Sequence, residues 1–206
     1  MATKHLFKAH PWHGIPLGEE APQVVTVYVE MVPTDTVKYE IDKETGHLKV
    51  DRPQQYSNFC PALYGFMPRT YCGEAVAARA RKVVGREDLQ GDGDPLDVLV
   101  LTEKTLSHGD CLLRAVPIGG FRVIDGGEAD DKIVAVLVND GVFGDYTEIE
   151  QCPKTLIDRV SHYFLTYKLP PGAQHSSIEI AERYNREEAQ AVIQASCRDY
   201  LKEFPY

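Results

Sequence analysis

Short apolar runs fill the first two thirds of this 206-residue chain, and a helical period replaces them in the last third. That change of period limits the fold more than any other feature. Residues 23–32 (QVVTVYVEMV) are β-branched and aromatic with partial alternation, which predicts a strand. Residues 37–41 and 47–50 flank Asp42-Lys43-Glu44-Thr45-Gly46, a hairpin turn with glycine at its end. Residues 98–101, 111–118 and 133–138 are further short apolar runs. Strands in such succession predict a curled or closed antiparallel sheet.

Residues 153–167 then place Leu156, Ile157, Val160, Tyr163, Phe164 and Tyr167 on one helical face. Asn185 is suited to cap a second helix, with Glu187 and Glu188 favourable in its first turn. Its buried stripe is Ala189, Val192, Ile193, Tyr200 and Leu201. The expectation is a mainly β, α+β protein: one domain over residues 1–206, a barrel covered by two helices. Residues 70–90, with Ala and Arg in the middle and no strong period, read as a loop projecting from the barrel.

A net charge of −9 argues against unassisted binding to nucleic acid or an anionic membrane, because no basic patch exists to displace counterions. No apolar run approaches the roughly 20 residues of a membrane span, and residues 1–14 lack a secretory signal's apolar stretch. Cys60, Cys72, Cys111, Cys152 and Cys197 are scattered without a C-x-x-C pair, so they read as free thiols of a reducing compartment, by default the cytoplasm. No H-x-x-x-H pair suggests zinc, and His10 and His13 around Pro11-Trp12 read as a packing or surface segment.

The chemistry concentrates in Asp92-Gly93-Asp94-Pro95-Leu96-Asp97, directly before the apolar run Val98-Leu99-Val100-Leu101. Three carboxylates this close repel one another unless a cation neutralises them. Alone, the run could be a solvated acidic turn. An EF-hand fails on spacing, since Leu96 and Asp97 stand where an oxygen ligand and glycine are needed. A D-x-D phosphatase wants its acids after an apolar strand, and here they precede one. A second cluster, residues 125–132 with Asp125, Glu128, Asp130, Asp131 and Lys132, also precedes an apolar run. Two carboxylate clusters at strand mouths suit hard divalent ions such as Mg²⁺ or Mn²⁺. Lys38, Arg52, Tyr64, Tyr167 and Lys168 add cations and phenols suited to gripping phosphate, with Lys38 and Glu40 on one face of a strand.

From about Val24 to Lys168 the sequence resembles the family I soluble inorganic pyrophosphatases. The family's D-x-D-P-x-D signature is met by Asp92 to Asp97. The blocks Lys38-Tyr39-Glu40-Ile41-Asp42-Lys43, Val50-Asp51-Arg52, Tyr64-Gly65-Phe66, Gly127-Glu128-Ala129-Asp130-Asp131-Lys132 and Tyr167-Lys168 follow the family's order. The resemblance implies a five-stranded OB-like barrel with flanking helices, hydrolysing pyrophosphate to two phosphates by direct attack of a metal-activated water. It implies Asp92, Asp97 and Asp130 as principal metal ligands, Asp125 at the second cluster, and Glu30 and Glu40 as acids lining the cavity. Lys38, Arg52, Lys132, Tyr167 and Lys168 would hold phosphates, Tyr64 would lie near the attacking oxygen, and Asp94 would accept the water's proton. Mg²⁺ is the implied cofactor, with Mn²⁺ or other divalent ions as substitutes, and a homo-oligomer the implied assembly: a hexamer by preference, otherwise a trimer or dimer. Cys60 and Leu63 depart from the family's usual tyrosine and asparagine, which removes hydrogen-bonding capacity near the aspartates. A nucleotide or polyphosphate hydrolase is disfavoured by the absence of a P-loop. A non-catalytic OB-type binding module is disfavoured by the negative charge and the lack of a row of stacking aromatics.

Overall fold

A computed structural model describes residues 8–170, 172–173 and 176–205. Residues 1–7, part of the stretch read against a secretory signal, lie outside that description. Ten strands are described: β1 (Val25–Met31), β2 (Val37–Ile41), β3 (Leu48–Pro53), β4 (Leu63–Phe66), β5 (Gln90–Gly91), β6 (Asp97–Leu101), β7 (Cys111–Asp125), β8 (Glu128–Ala129), β9 (Lys132–Leu137) and β10 (Ile178–Asn185). Three helices accompany them: α1 (Glu74–Val84), α2 (Lys154–Thr166) and α3 (Arg186–Glu203).

Five strands close into a ring in the order β1-β4-β6-β9-β7, with β7 pairing back onto β1. Closure removes the exposed edges that an open sheet would leave. The ring is not purely antiparallel as expected, because β6 and β9 run parallel. The long β7 serves several partners by shifting register between Pro117 and Gly119, and its distal half also carries β8 and β10. β2 and β3 form the separate hairpin read from the sequence, turned at Gly46 with φ of 72°.

In β6 and β9 the residues after the leading Asp97 and Lys132 are apolar because both faces are covered. Val98, Val100, Ile133 and Ala135 share a core cluster with Ala189, Val192 and Ile193 of α3. The alternate residues Leu99, Leu101, Val134 and Val136 share another with Ile157, Val160, Tyr163 and Phe164 of α2. Each such fully buried large side chain contributes roughly 1.5–3 kcal/mol. Trp12 packs with Tyr28, Ile41, Phe66 and Tyr200, so the His10–His13 stretch is indeed a packing segment.

Three expectations need correction. Residues 70–90 are not a projecting loop, because they contain α1, whose Ala80 packs on Leu89, Ile124 and Ala129. Two helices become three, and β10 was unforeseen. Leu201 is 56% exposed, so the α3 stripe stops at Tyr200. Asn185 does cap α3, its side chain accepting from the Glu188 N–H.

Candidate active site

Two short parallel pairings bring the acidic clusters together. In β5–β8 the register partners are Gln90 with Glu128 and Gly91 with Ala129, so Asp92 and Asp130 follow abreast. In β6–β9, Asp97 pairs with Lys132. Side chains separated by more than thirty residues of sequence therefore start or continue neighbouring strands at one mouth of the barrel. The C-terminal end of α2 brings Tyr163, Phe164, Tyr167 and Lys168 against it.

These elements enclose a cavity of about 190 Å³ lined by Lys38, Tyr64, Asp92, Asp94, Asp97, Asp125, Asp130, Lys132, Tyr167 and Lys168, all expected site residues. Glu30 and Glu40 line an adjoining recess that shares Lys38, Tyr64, Asp94 and Asp97 with it. Arg52 lines neither, although it is the register partner of Lys38 and its guanidinium lies 5.7 Å from the Tyr167 ring centroid. Sequence reasoning left two site residues without a role. Glu128 lines the cavity, and Lys43 lines the recess and pairs with Asp94. The signal for Lys43 was its place in the hairpin turn between β2 and β3.

Each carboxylate expected from the sequence has a cationic or donor partner. Lys132 Nζ bridges Asp97 and Asp130, and the Tyr64 phenol donates to Asp97. Lys168 Nζ lies 2.6 Å from Asp125, and Lys38 Nζ lies 2.9 Å from Glu40 and 3.4 Å from Asp51. Asp92 accepts the Asp94 N–H at 2.9 Å, which closes the tight loop at Gly93. Glu30 accepts the Ile41 N–H at 2.7 Å. Leu63 is absorbed into the core, and the buried Cys60 thiol is pushed up to about 12 chiefly by burial.

The electrostatics bear on whether a cation fits. Burial, then the negative charge of Asp130, raises Asp92 well above the usual carboxylate range. Burial, then Asp97, pushes Glu30 up to about 8. Burial also raises Asp97 against the opposing pull of Lys132. Burial alone would lower the Lys132 ammonium, but Asp130 and Asp97 outweigh it and keep it charged. Among the described residues no three acidic, His or Cys side chains already enclose a common point. The donor set nevertheless suits a hard divalent ion: oxygen ligands only, buried and crowded enough to raise Asp92 and Asp97.

The inorganic pyrophosphatase family model matches residues 27–201. The chain belongs to the inorganic pyrophosphatase family. It is 52% identical over 199 residues to an inorganic pyrophosphatase of Chlamydia caviae, covering 95% of this chain and 92% of the relative. It is 50% identical over 208 residues to that of Chlamydia trachomatis serovar L2, covering 99% and 100%. The crystal structure of inorganic pyrophosphatase from Thermus thermophilus superposes with a TM-score of 0.77 at 27% identity, covering 93% of this chain and 99% of that one. Inorganic pyrophosphatases are metal-dependent hydrolases that convert pyrophosphate to phosphate, and the OB-like ring described above is their fold. Among the described residues no helix is long and apolar enough to cross a membrane.

Proposed function

We propose that this chain hydrolyses inorganic pyrophosphate to two orthophosphates by direct attack of water on one phosphorus, without a covalent enzyme intermediate. A P–O bond forms to the water oxygen as the bridging P–O bond breaks. The observation that carries this reading is the double parallel register, Gly91 with Ala129 and Asp97 with Lys132, which sets two carboxylate clusters and a buried ammonium around one cavity. Asp92, Asp97, Asp130 and Asp125 would hold divalent ions, Mg²⁺ by preference with Mn²⁺ as a substitute, which lower the pKa of water and neutralise phosphate charge. Glu30 and Glu40 complete the acidic lining from the recess.

Asp94 accepts the water's proton, and its place between cavity and recess suits that role. Tyr64 orients Asp97 through its phenol and stands beside the attacking oxygen. Lys38, Arg52, Tyr167 and Lys168 hold the phosphates and stabilise charge on the departing one. Lys132, whose ammonium already lies in the cavity, would hold phosphate with them. The net charge of −9 presents no obstacle to an anion that arrives with its own cation. Hydrolysis of this kind pulls nucleotide-consuming biosynthesis forward, and five free thiols suit a reducing cytoplasm. Self-association, with a hexamer favoured over a trimer or dimer, completes the reading, and solution mass measures it.

The test compares phosphate release from pyrophosphate, tripolyphosphate and ATP under Mg²⁺ and Mn²⁺. Turnover of pyrophosphate under Mg²⁺ that Asp94→Asn largely abolishes is the expected result. A preference for ATP under Mg²⁺ would instead indicate a nucleotide hydrolase, and no turnover of any would indicate a binding module.

A further inference from the structure

Arg122 is a fully buried guanidinium outside the cavity, on the distal half of β7. Its Nε and Nη2 lie 3.3 and 3.2 Å from the two oxygens of Asp131, whose side chain is 1% exposed. Nη2 also lies 2.8 Å from Glu188 at the start of α3, and Nη1 lies 3.2 Å from Glu182 on β10. Tyr184 stacks its ring 5.2 Å from the guanidinium carbon, and its hydroxyl lies 3.4 Å from Asp131. Glu188 is in turn gripped by Arg79 of α1, with Nε at 3.0 Å and Nη2 on the second oxygen. None of these residues lines the cavity.

Asp131 stands between Asp130 and Lys132, which both line the cavity. In extended backbone successive side chains point to opposite faces. The fork on Asp131 therefore fixes, from behind, the two residues that face the site. A planar guanidinium held on both carboxylate oxygens sets orientation as well as distance. Buried ion pairs contribute little net stability over apolar replacements, so a geometric role better accounts for five charged side chains gathered here.

We infer that Arg122 is a positioning residue, acting through Asp131 to fix Asp130 and Lys132, and that α1 completes the anchor through Arg79 and Glu188. The inference rests on the roles proposed above for Asp130 and Lys132. It also accounts for residues 70–90, in which α1 supplies Arg79 and β5 sets Asp92 beside Asp130.

The test measures Mn²⁺ binding to substrate-free protein by electron paramagnetic resonance, kcat and KM for magnesium pyrophosphate, and the thermal midpoint. The variants are Arg79→Met, Arg122→Lys and the double variant Arg122→Met/Asp131→Leu. The double variant removes both buried charges and is expected to melt near the wild type. It should bind Mn²⁺ about tenfold more weakly, with kcat reduced more than KM is raised. Arg122→Lys should fall between it and the wild type, and Arg79→Met should shift the same readouts less. A folded double variant with wild-type Mn²⁺ affinity and kcat would overturn the inference. If the double variant does not fold, unchanged Mn²⁺ binding in both single variants would overturn it equally. Wild-type protein that binds no Mn²⁺ and releases no phosphate would sink the functional reading beneath it instead.

Discussion

Gly91 and Ala129 are register partners in a parallel pair only two residues long, and the next residue on each strand is an aspartate of the site. That pairing joins clusters that the sequence separates, Asp92 to Asp97 and Asp125 to Asp130. Backbone bonds between Cys72 and the Gly93–Asp94 turn hold the same loop from its other side. A Cβ on Gly91 would stand 2.1 Å from the Cys72 carbonyl oxygen, so glycine is required for the close approach.

Gly91→Ala should therefore damage both stability and turnover. Forced overpacking of this kind costs roughly 1–3 kcal/mol. The expected outcome is a melting point several degrees lower and weaker activation by Mg²⁺, measured by calorimetry and by phosphate release across a Mg²⁺ titration. A variant matching the wild type in both would show that the β5–β8 pair does not set the site.

Lys43 is the residue that the sequence underused. It pairs with Asp94, and both side chains are nearly half exposed. Exposed pairs contribute about 0–1 kcal/mol, which caps the effect at about fivefold in rate. Lys43→Met should lower kcat several-fold with little change in KM, and Lys43→Arg should recover most of the loss. Steady-state kinetics on the three proteins checks this.

Asp140 gives a pH dependence away from the site. Burial is the largest single influence and raises its pKa, but hydrogen bonds from Thr102, Phe143, Glu103 and Val142 together outweigh it and bring it down to about 2. A depressed folded value means the stabilisation is fully present above the unfolded value of about 3.9 and is lost as pH falls toward about 2. The carboxylate is partly solvated, so on the order of 1 kcal/mol is expected after screening. Asp140→Asn should lower the urea midpoint at pH 6, and the gap to the wild type should narrow between pH 4 and pH 3.

The fold was legible where pattern and burial coincide. α2 presents the stripe Ile157, Val160, Tyr163 and Phe164, and Asn185 caps α3 as its residue type suggests. α1 was hidden because its buried face is Val76, Ala77 and Ala80, small residues with little hydrophobic contrast. Its cap is also remote: the Asp199 carboxylate of α3 accepts the N–H groups of Gly73, Ala75 and Val76. The local signs were Gly85, left-handed at the helix end, and the charges of Glu74 in the first turn and Arg81 and Lys82 in the last. β10 alternates at Ile178-Glu179-Ile180, a signal that was available, but its pairing with the far half of β7 is not.

Most of the candidate site was legible because charged residues in ordered blocks carry it. Arg122 was not, since an arginine inside an apolar run gives no sign of the three carboxylates that will surround it. Glu128 escaped for the opposite reason, standing in a cluster that already offers the carboxylates of Asp125, Asp130 and Asp131.

Asp97 is the residue on which the reading converges, bonded by Tyr64 from β4 and by Lys132 from β9 at the head of β6. The decisive measurement is Mg²⁺-dependent phosphate release from pyrophosphate by the wild type and by Asp97→Asn, with circular dichroism to verify the fold. The predicted result is rapid release by the wild type and a loss on the order of a hundredfold or more in the variant. Equal release by a correctly folded Asp97→Asn would contradict the assignment of the site.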